Sequence, residues 1–217
     1  MIDRAIFFVD GSNWYHSLRE AGVRHLGRLS YSRICDKLAE SSDAWTAMRY
    51  YIPDVGPIGD PRLVIQQRDF LTQLRSQDHR ISVHMGRLES RTVESAAAKE
   101  LLRYLADLRT RLPIGVYRDL IAIGRTHQKS RVFVEKAVDV QIAVDMVRLA
   151  AADAFDVAYL LSADGDYTPA VAAVRGYGKR VLSATPAPCA KLAATVNTHV
   201  PLSRGWFVDC YLGPSPF

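Results

Sequence analysis

The sequence predicts an α/β protein with a mostly parallel central sheet and helices on both faces. Three observations carry this. Short apolar runs of strand length alternate with segments of helical spacing. Two of those runs, FFVDG and LLSADG, close on an Asp-Gly pair, as a strand does when it turns toward a helix. The chain has 217 residues, 48% of them apolar, enough for one well-buried core.

The elements follow in order. Residues 4–9, RAIFFV, read as a strand that ends at Asp10 and Gly11 and passes into a helix through about Glu20. Ser30 is a suitable N-cap for a helix over about 31–40, with Ile34, Leu38 and Ala39 on one face. WTAMRYYI at 45–52 is a strand stopped by the loop PDVGPIGDP, and helical spacing resumes over 62–77. ISVHMGRL alternates as a strand should. Residues of about 90–134 read as an insertion: a helix in VESAAAKELLRYLADLRTRL, then short β-like pieces, DLIAIG and RVFVE, around the basic turn RTHQKSR, as a hairpin or loop. Beyond it come a helix at 138–152, a strand at 156–161, a helix at 166–176 stopped by Gly176 and Gly178, and a strand at 179–184. A last helix near 188–196 lies in a C-terminal helix and tail of about 186–217. The whole reads as a single domain over 1–217 with these appendages.

The composition excludes several classes. No run approaches the roughly 20 apolar residues of a membrane span, and the N-terminus lacks a signal-peptide pattern, so a cytoplasmic protein with no membrane partner is expected. Cys35, Cys189 and Cys210 have neither CxxC spacing nor histidines at zinc-site distances and read as reduced, structural thiols. The net charge of +5, with Arg supplying 22 of 28 basic residues, suits a polyanionic partner, although base composition of the genome produces the same bias.

In parallel α/β sheets, ligands gather at the carboxyl ends of the strands near the point where strand order reverses. Asp10 and Asp164 stand at two such strand ends, Asp166 two residues on, and Asp139 at the start of a helix. Each has a plainer use as a turn residue, a helix-dipole partner or an N-cap. Together they would raise one another's pKa unless a cation sits among them, and such hard oxygen ligands suit Mg²⁺ or Mn²⁺. Glu135, four residues before Asp139, is a reserve ligand if the helix starts early, whereas Asp145 should face elsewhere.

FVDGSNWY, EKAVDVQIAVDM and LLSADGDYTPAV, in that order and followed by a Gly-X-Gly-Lys strand, resemble the NYN domain family, the LabA-like branch of the PIN-like nucleases. The resemblance runs from about residue 4 to about residue 185. It implies a PIN-like, Rossmannoid three-layer sandwich and a metal-dependent ribonuclease that cleaves RNA phosphodiesters to leave a 5′-phosphate. It assigns the metal-binding acids to Asp10, Asp139, Asp164 and Asp166 and the family's polar partner to Asn13. Two motif glycines are Ala137 and Ala163 here.

Ser12 and the basic residues Arg125, Lys129, Arg131 and Lys136 are candidate RNA contacts, each also explicable as solvated polar surface. Trp14 or Tyr15 must face inward if the first helix packs on the sheet, leaving the other free to stack on a base. His16, His25 and His84 lack metal-ligand spacing. A haloacid-dehalogenase-type phosphatase would need a second Asp where Ser12 stands, and neither GxGxxG nor GxxxxGK[ST] is present. The rival from another class is an RNA-binding or regulatory module of weak activity. One or two ions, and a monomer or homodimer, remain equally compatible with the sequence.

Overall fold

The computed structural model describes residues 2–39 and 43–213. In chain order the elements are β1 (Asp3–Asp10), α1 (Gly11–Glu20), α2 (Tyr31–Leu38), β2 (Asp43–Pro53), α3 (Pro61–Gln77), β3 (Ile81–Glu94), α4 (Ala96–Asp107), α5 (Ile114–Thr126), β4 (Lys129–Lys136), α6 (Val138–Ala151), β5 (Val157–Leu161), α7 (Thr168–Gly176), β6 (Arg180–Thr185), α8 (Ala190–Ala193) and β7 (Thr198–Pro201). Among the described residues the strands form one seven-stranded sheet in the order β4-β3-β2-β1-β5-β6-β7. The pairs β1·β2, β1·β5, β2·β3, β5·β6 and β6·β7 are all parallel.

The three-layer arrangement follows from the period of two along the central strands. On β1, Ala5, Phe7 and Val9 enter one core with Trp14 and Leu18 of α1, Ile34 and Leu38 of α2 and Leu74 of α3. Ile6 and Phe8 point the other way, into a second core with Ile142 and Met146 of α6 and Val171 and Val174 of α7. β5 divides in the same manner, Tyr159 and Leu161 joining the first core and Ala158 and Leu160 the second. A strand buried on both faces explains why RAIFFV and VAYLL are continuous apolar runs. Phe7 stacks on Tyr159 at 4.5 Å, fastening β1 to β5. At the opposite end from the site, Arg4 donates from its backbone N–H and guanidinium to Asp156, closing the same pair of strands.

The chain groups into two compact units, one of Met1–Arg87 with Glu135–Phe217 and one of Leu88–Val134. Within the second, Ser95 caps α4 by accepting from the backbone N–H of Ala98, and α4 and α5 pack together where Gly124 leaves room for Leu102. This corrects the expectation of a hairpin or loop after Pro113. DLIAIG lies within α5, whereas RVFVE is on β4. The five apolar residues after Asp119 are readable with either period, and here Leu120, Ile121 and Gly124 share one helical face. The basic RTHQKSR segment is accordingly no single turn: Arg125 and Thr126 lie in the last turn of α5 and Lys129 begins β4. The short strand β7 replaces part of the expected C-terminal tail. Cys35, Cys189 and Cys210 are free and buried, and among the described residues no helix is long and apolar enough to cross a membrane.

Candidate active site

The order of strands reverses between β1 and β5, and this switch point is where Asp10 stands. Gly11 makes the place possible. A Cβ there would lie 2.6 Å from the carbonyl of Tyr51 and 2.7 Å from the ring of Tyr50, so only glycine lets α1 leave β1 so close to β2. Asp10 is the N-cap of α1, its Oδ1 accepting from the backbone N–H of Asn13 at 3.1 Å. Its Oδ2 accepts from Ser162 and from Tyr167, each at 3.1 Å. Asp10 is only 3% exposed, and burial pushes its carboxyl above the usual range, with the charge of Asp139 adding to that rise.

Asp139 lies in the first turn of α6, and its Oδ1 accepts from Tyr167 at 3.0 Å. The phenol of Tyr167 therefore stands between the two aspartates with a single proton to offer them. Burial and the negative charge on both sides push its own pKa up, so the ring is neutral. With both acids ionised, one of the two contacts lacks a proton.

Glu135 reaches the cluster by another route than the expected early helix start, for it sits on β4 and α6 begins only at Val138. Between them Ala137 adopts a left-handed backbone, φ 74°, turning the chain so that strand and helix both deliver an acid. Ser12 donates to Glu135 at 2.8 Å. Burial raises the Glu135 carboxyl, and the charges of Asp10 and Asp139 raise it further. Asn13 ties the loop after β5 to α1, its side-chain carbonyl accepting the Ala163 N–H at 2.9 Å.

Asp164 and Asp166 sit at the rim. Asp164 accepts from the backbone N–H of Asp166 at 2.8 Å, capping a short 3-10 turn at Gly165–Tyr167. That turn carries Asp166 outward, to an exposed position 4.0 Å from Lys191. Asp145 pairs with Arg49 at 2.7 Å and accepts from the hydroxyl of Tyr51, away from the other acids. Arg125 and Lys129 belong to the Leu88–Val134 unit and are exposed, Lys136 is half-buried at the end of β4, and the side chain of Arg131 lies outside the described residues. Trp14 is wholly buried and Tyr15 is exposed. Ser162 and Tyr167 are site residues that spacing arguments passed over. Both stand within the LLSADGDYTPAV segment, and Ser162, the first residue after β5, is found by asking which group meets Asp10 at the neighbouring strand end.

A family model described as NYN domain matches residues 4–202. The chain belongs to the NYN domain family. This places it among proteins of PIN-like, nuclease-type fold. The fold of the chain is similar to that in a solved structure, the crystal structure of a protein of unknown function from Vibrio parahaemolyticus. That match has a TM-score of 0.57 at 18% identity, covering 93% of this chain and 94% of that one. Comparison with curated proteins returned no match.

NYN and other PIN-like nucleases typically use divalent metals. The donor chemistry of this NYN site fits such an ion: buried Asp10, half-buried Glu135 and exposed Asp139 offer hard carboxylate oxygens whose charges act on one another. Their spacing is looser, and among the described residues no three acidic, imidazole or thiol side chains are drawn together tightly enough to enclose a metal.

Proposed function

We propose that this chain is a metal-dependent endoribonuclease that hydrolyses RNA phosphodiester bonds at the Asp10 cluster. One observation carries the reading: a buried carboxylate, Asp10, is held against Asp139 with only the proton of Tyr167 between them. Such an arrangement costs stability through desolvation and repulsion, and a cation would relieve both. Stability given up at a strand-end cleft is a mark of function rather than of packing.

Asp10, Asp139 and Glu135 would hold Mg²⁺ or Mn²⁺, with Asp164 and Asp166 at the rim as further ligands or as partners for bound water. A bound ion of this kind supplies charge to polarise a phosphate oxygen and lowers the pKa of a water. The protein's own groups do the positioning. Ser12 orients Glu135, and Asn13 holds the Ala163 loop against α1 so that Ser162 stays on Asp10. Tyr167 offers its single hydroxyl proton to Asp10 or Asp139, one at a time, and so bridges the two carboxylates. RNA is favoured by the family and by charge. The Leu88–Val134 unit has nine basic residues against five acidic ones, among them Arg125, Lys129 and Arg131, which with Lys136 are proposed phosphate contacts. A cytoplasmic site of action is part of the same reading.

The second reading, an RNA-binding module without turnover, draws on the caps and hydrogen bonds that occupy Asp10 and Asp164. Purified protein incubated with labelled single-stranded and structured RNAs, under Mg²⁺, Mn²⁺ or chelator, separates the two. Metal-dependent internal cleavage supports the nuclease, and tight binding without cleavage under every condition supports the module.

A further inference from the structure

Beside the acidic cluster lies a cavity of about 550 Å³ that the proposed chemistry leaves unused. Its floor is a three-ring aromatic cluster. Tyr31 and Tyr50 meet edge to face at 5.4 Å, and Phe70 of α3 packs against both, at 6.3 Å and 5.7 Å. At the mouth stands Tyr15, 45% exposed, its ring backed by the guanidinium of Arg19 at 5.6 Å. The volume is that of a small-ligand pocket, which commonly spans about 300–1,000 Å³. Tyr15 and Leu63 are exposed there and Phe70 is half-buried, and an occupant covering them would recover the free energy of their contact with water.

Two features define the occupant. Ser12 belongs to both places, lining the cavity and donating to Glu135, so whatever fills the cavity lies next to the acids. Among the described residues, no Asp, Glu, Lys or Arg lines it. Its lining carries the imidazole of His16 but no guanidinium, ammonium or carboxylate to fix a phosphate or an amine. A flat, uncharged aromatic group finds rings to stack on and a few amides to meet its edge. Of the two glutamines on its wall, Gln67 is committed, accepting from the backbone N–H of Val55 and donating to the carbonyl of Pro53. Gln66 is exposed and makes no such bond among the described residues, which leaves its amide to read a base edge.

We infer that this cavity binds an unpaired nucleobase of the RNA strand, adjacent to the phosphate presented to Asp10, with Tyr15 and Phe70 as stacking surfaces over the buried Tyr31 and Tyr50 and Gln66 as a hydrogen-bonding group. The inference rests on the ribonuclease reading for its occupant, but binding in the cavity needs neither a metal nor turnover. A nuclease with this pocket requires single-stranded substrate at that position, because a base within a duplex cannot enter.

The test is an abasic scan in chelator. A short single-stranded RNA carries one abasic residue at each position in turn, and affinity is read by fluorescence anisotropy for wild type, Tyr15→Ala and Gln66→Ala. Both variants sit at exposed positions, and an unchanged melting temperature verifies their folding. One position is expected to lose about tenfold or more in affinity when its base is removed, and Tyr15→Ala is expected to flatten that dip. Gln66→Ala should reduce differences among the four bases at that position. Binding of free nucleosides, followed by changes in the Tyr15 NMR signals, distinguishes a pocket for the isolated base from one that needs the strand. A flat scan with the wild type binding RNA, a dip that survives Tyr15→Ala, or no RNA binding overturns the pocket. In parallel metal-containing reactions, cleavage with a flat scan keeps the nuclease and removes the pocket. A dip without cleavage keeps the pocket and removes the nuclease.

Discussion

The hydroxyl of Tyr167 lies 3.1 Å from Oδ2 of Asp10, and it is the one proton donor this buried acid shares with Asp139. Tyr167→Phe removes it and leaves Asp10 and Asp139 facing across an apolar ring. A loss of about 1–2 kcal/mol is expected at neutral pH, as for a buried acceptor deprived of a partner. Chemical denaturation of the two proteins measures it. Mn²⁺ should restore much of the difference if a cation takes over the proton's place.

The raised carboxyls of Asp10 and Glu135 set a pH dependence. A carboxyl whose folded pKa lies above its unfolded value favours folding while protonated, and that contribution is lost as pH rises through the folded pKa. In chelator, Asp10→Asn should therefore melt a few degrees higher than wild type at pH 7, with the gap closing as pH falls toward 4. Melting curves across that range read it directly. A gap independent of pH would show that Asp10 titrates alike in the folded and unfolded protein, so that burial does not raise its carboxyl.

Ala137 occupies a left-handed backbone, φ 74°, where the family motif has glycine. Glycine carries no Cβ penalty there, and Ala137→Gly is expected to stabilise the protein by about 0.5–1 kcal/mol, after the greater freedom glycine gives the unfolded chain. Equilibrium unfolding checks the sign. The strain has a use, since it is this turn that brings Glu135 and Asp139 from a strand and a helix to one place.

Asp145 belongs to a different account. Its ion pair with Arg49 is largely shielded from solvent, and the Tyr51 hydroxyl donates to the same oxygen. Asp145→Ala leaves a guanidinium without its partner and should cost about 2–4 kcal/mol in stability. Metal affinity per folded molecule should stay as in wild type, which titration of Mn²⁺ into the folded variant below its melting temperature will report.

The alternation of strands and helices, and with it the three-layer sheet, was legible because β1 and β5 are buried on both faces and so appear as unbroken apolar runs between polar helices. Asp10 and the helix-start position of Asp139 were legible for the same reason, as points where one period gives way to another. Glu135 was noticed for the wrong geometry, on an expected helix instead of a strand, since sequence spacing does not reveal a left-handed alanine. The α5 helix hid behind DLIAIG because five apolar residues in a row satisfy either period. Tyr167 was hidden more deeply. Its importance depends on where β1, α6 and the 3-10 turn meet, and the same turn that points Tyr167 inward carries Asp166 out to the rim.

The central claim is that the Asp10 cluster cleaves RNA with a divalent ion. Single-turnover cleavage of a labelled RNA under Mn²⁺ by wild type, Asp10→Asn and Asp139→Asn tests it most directly. Metal-dependent cleavage by the wild type is expected, with a loss of about 100-fold or more in each variant and both variants folded. Equal rates in all three proteins would contradict it.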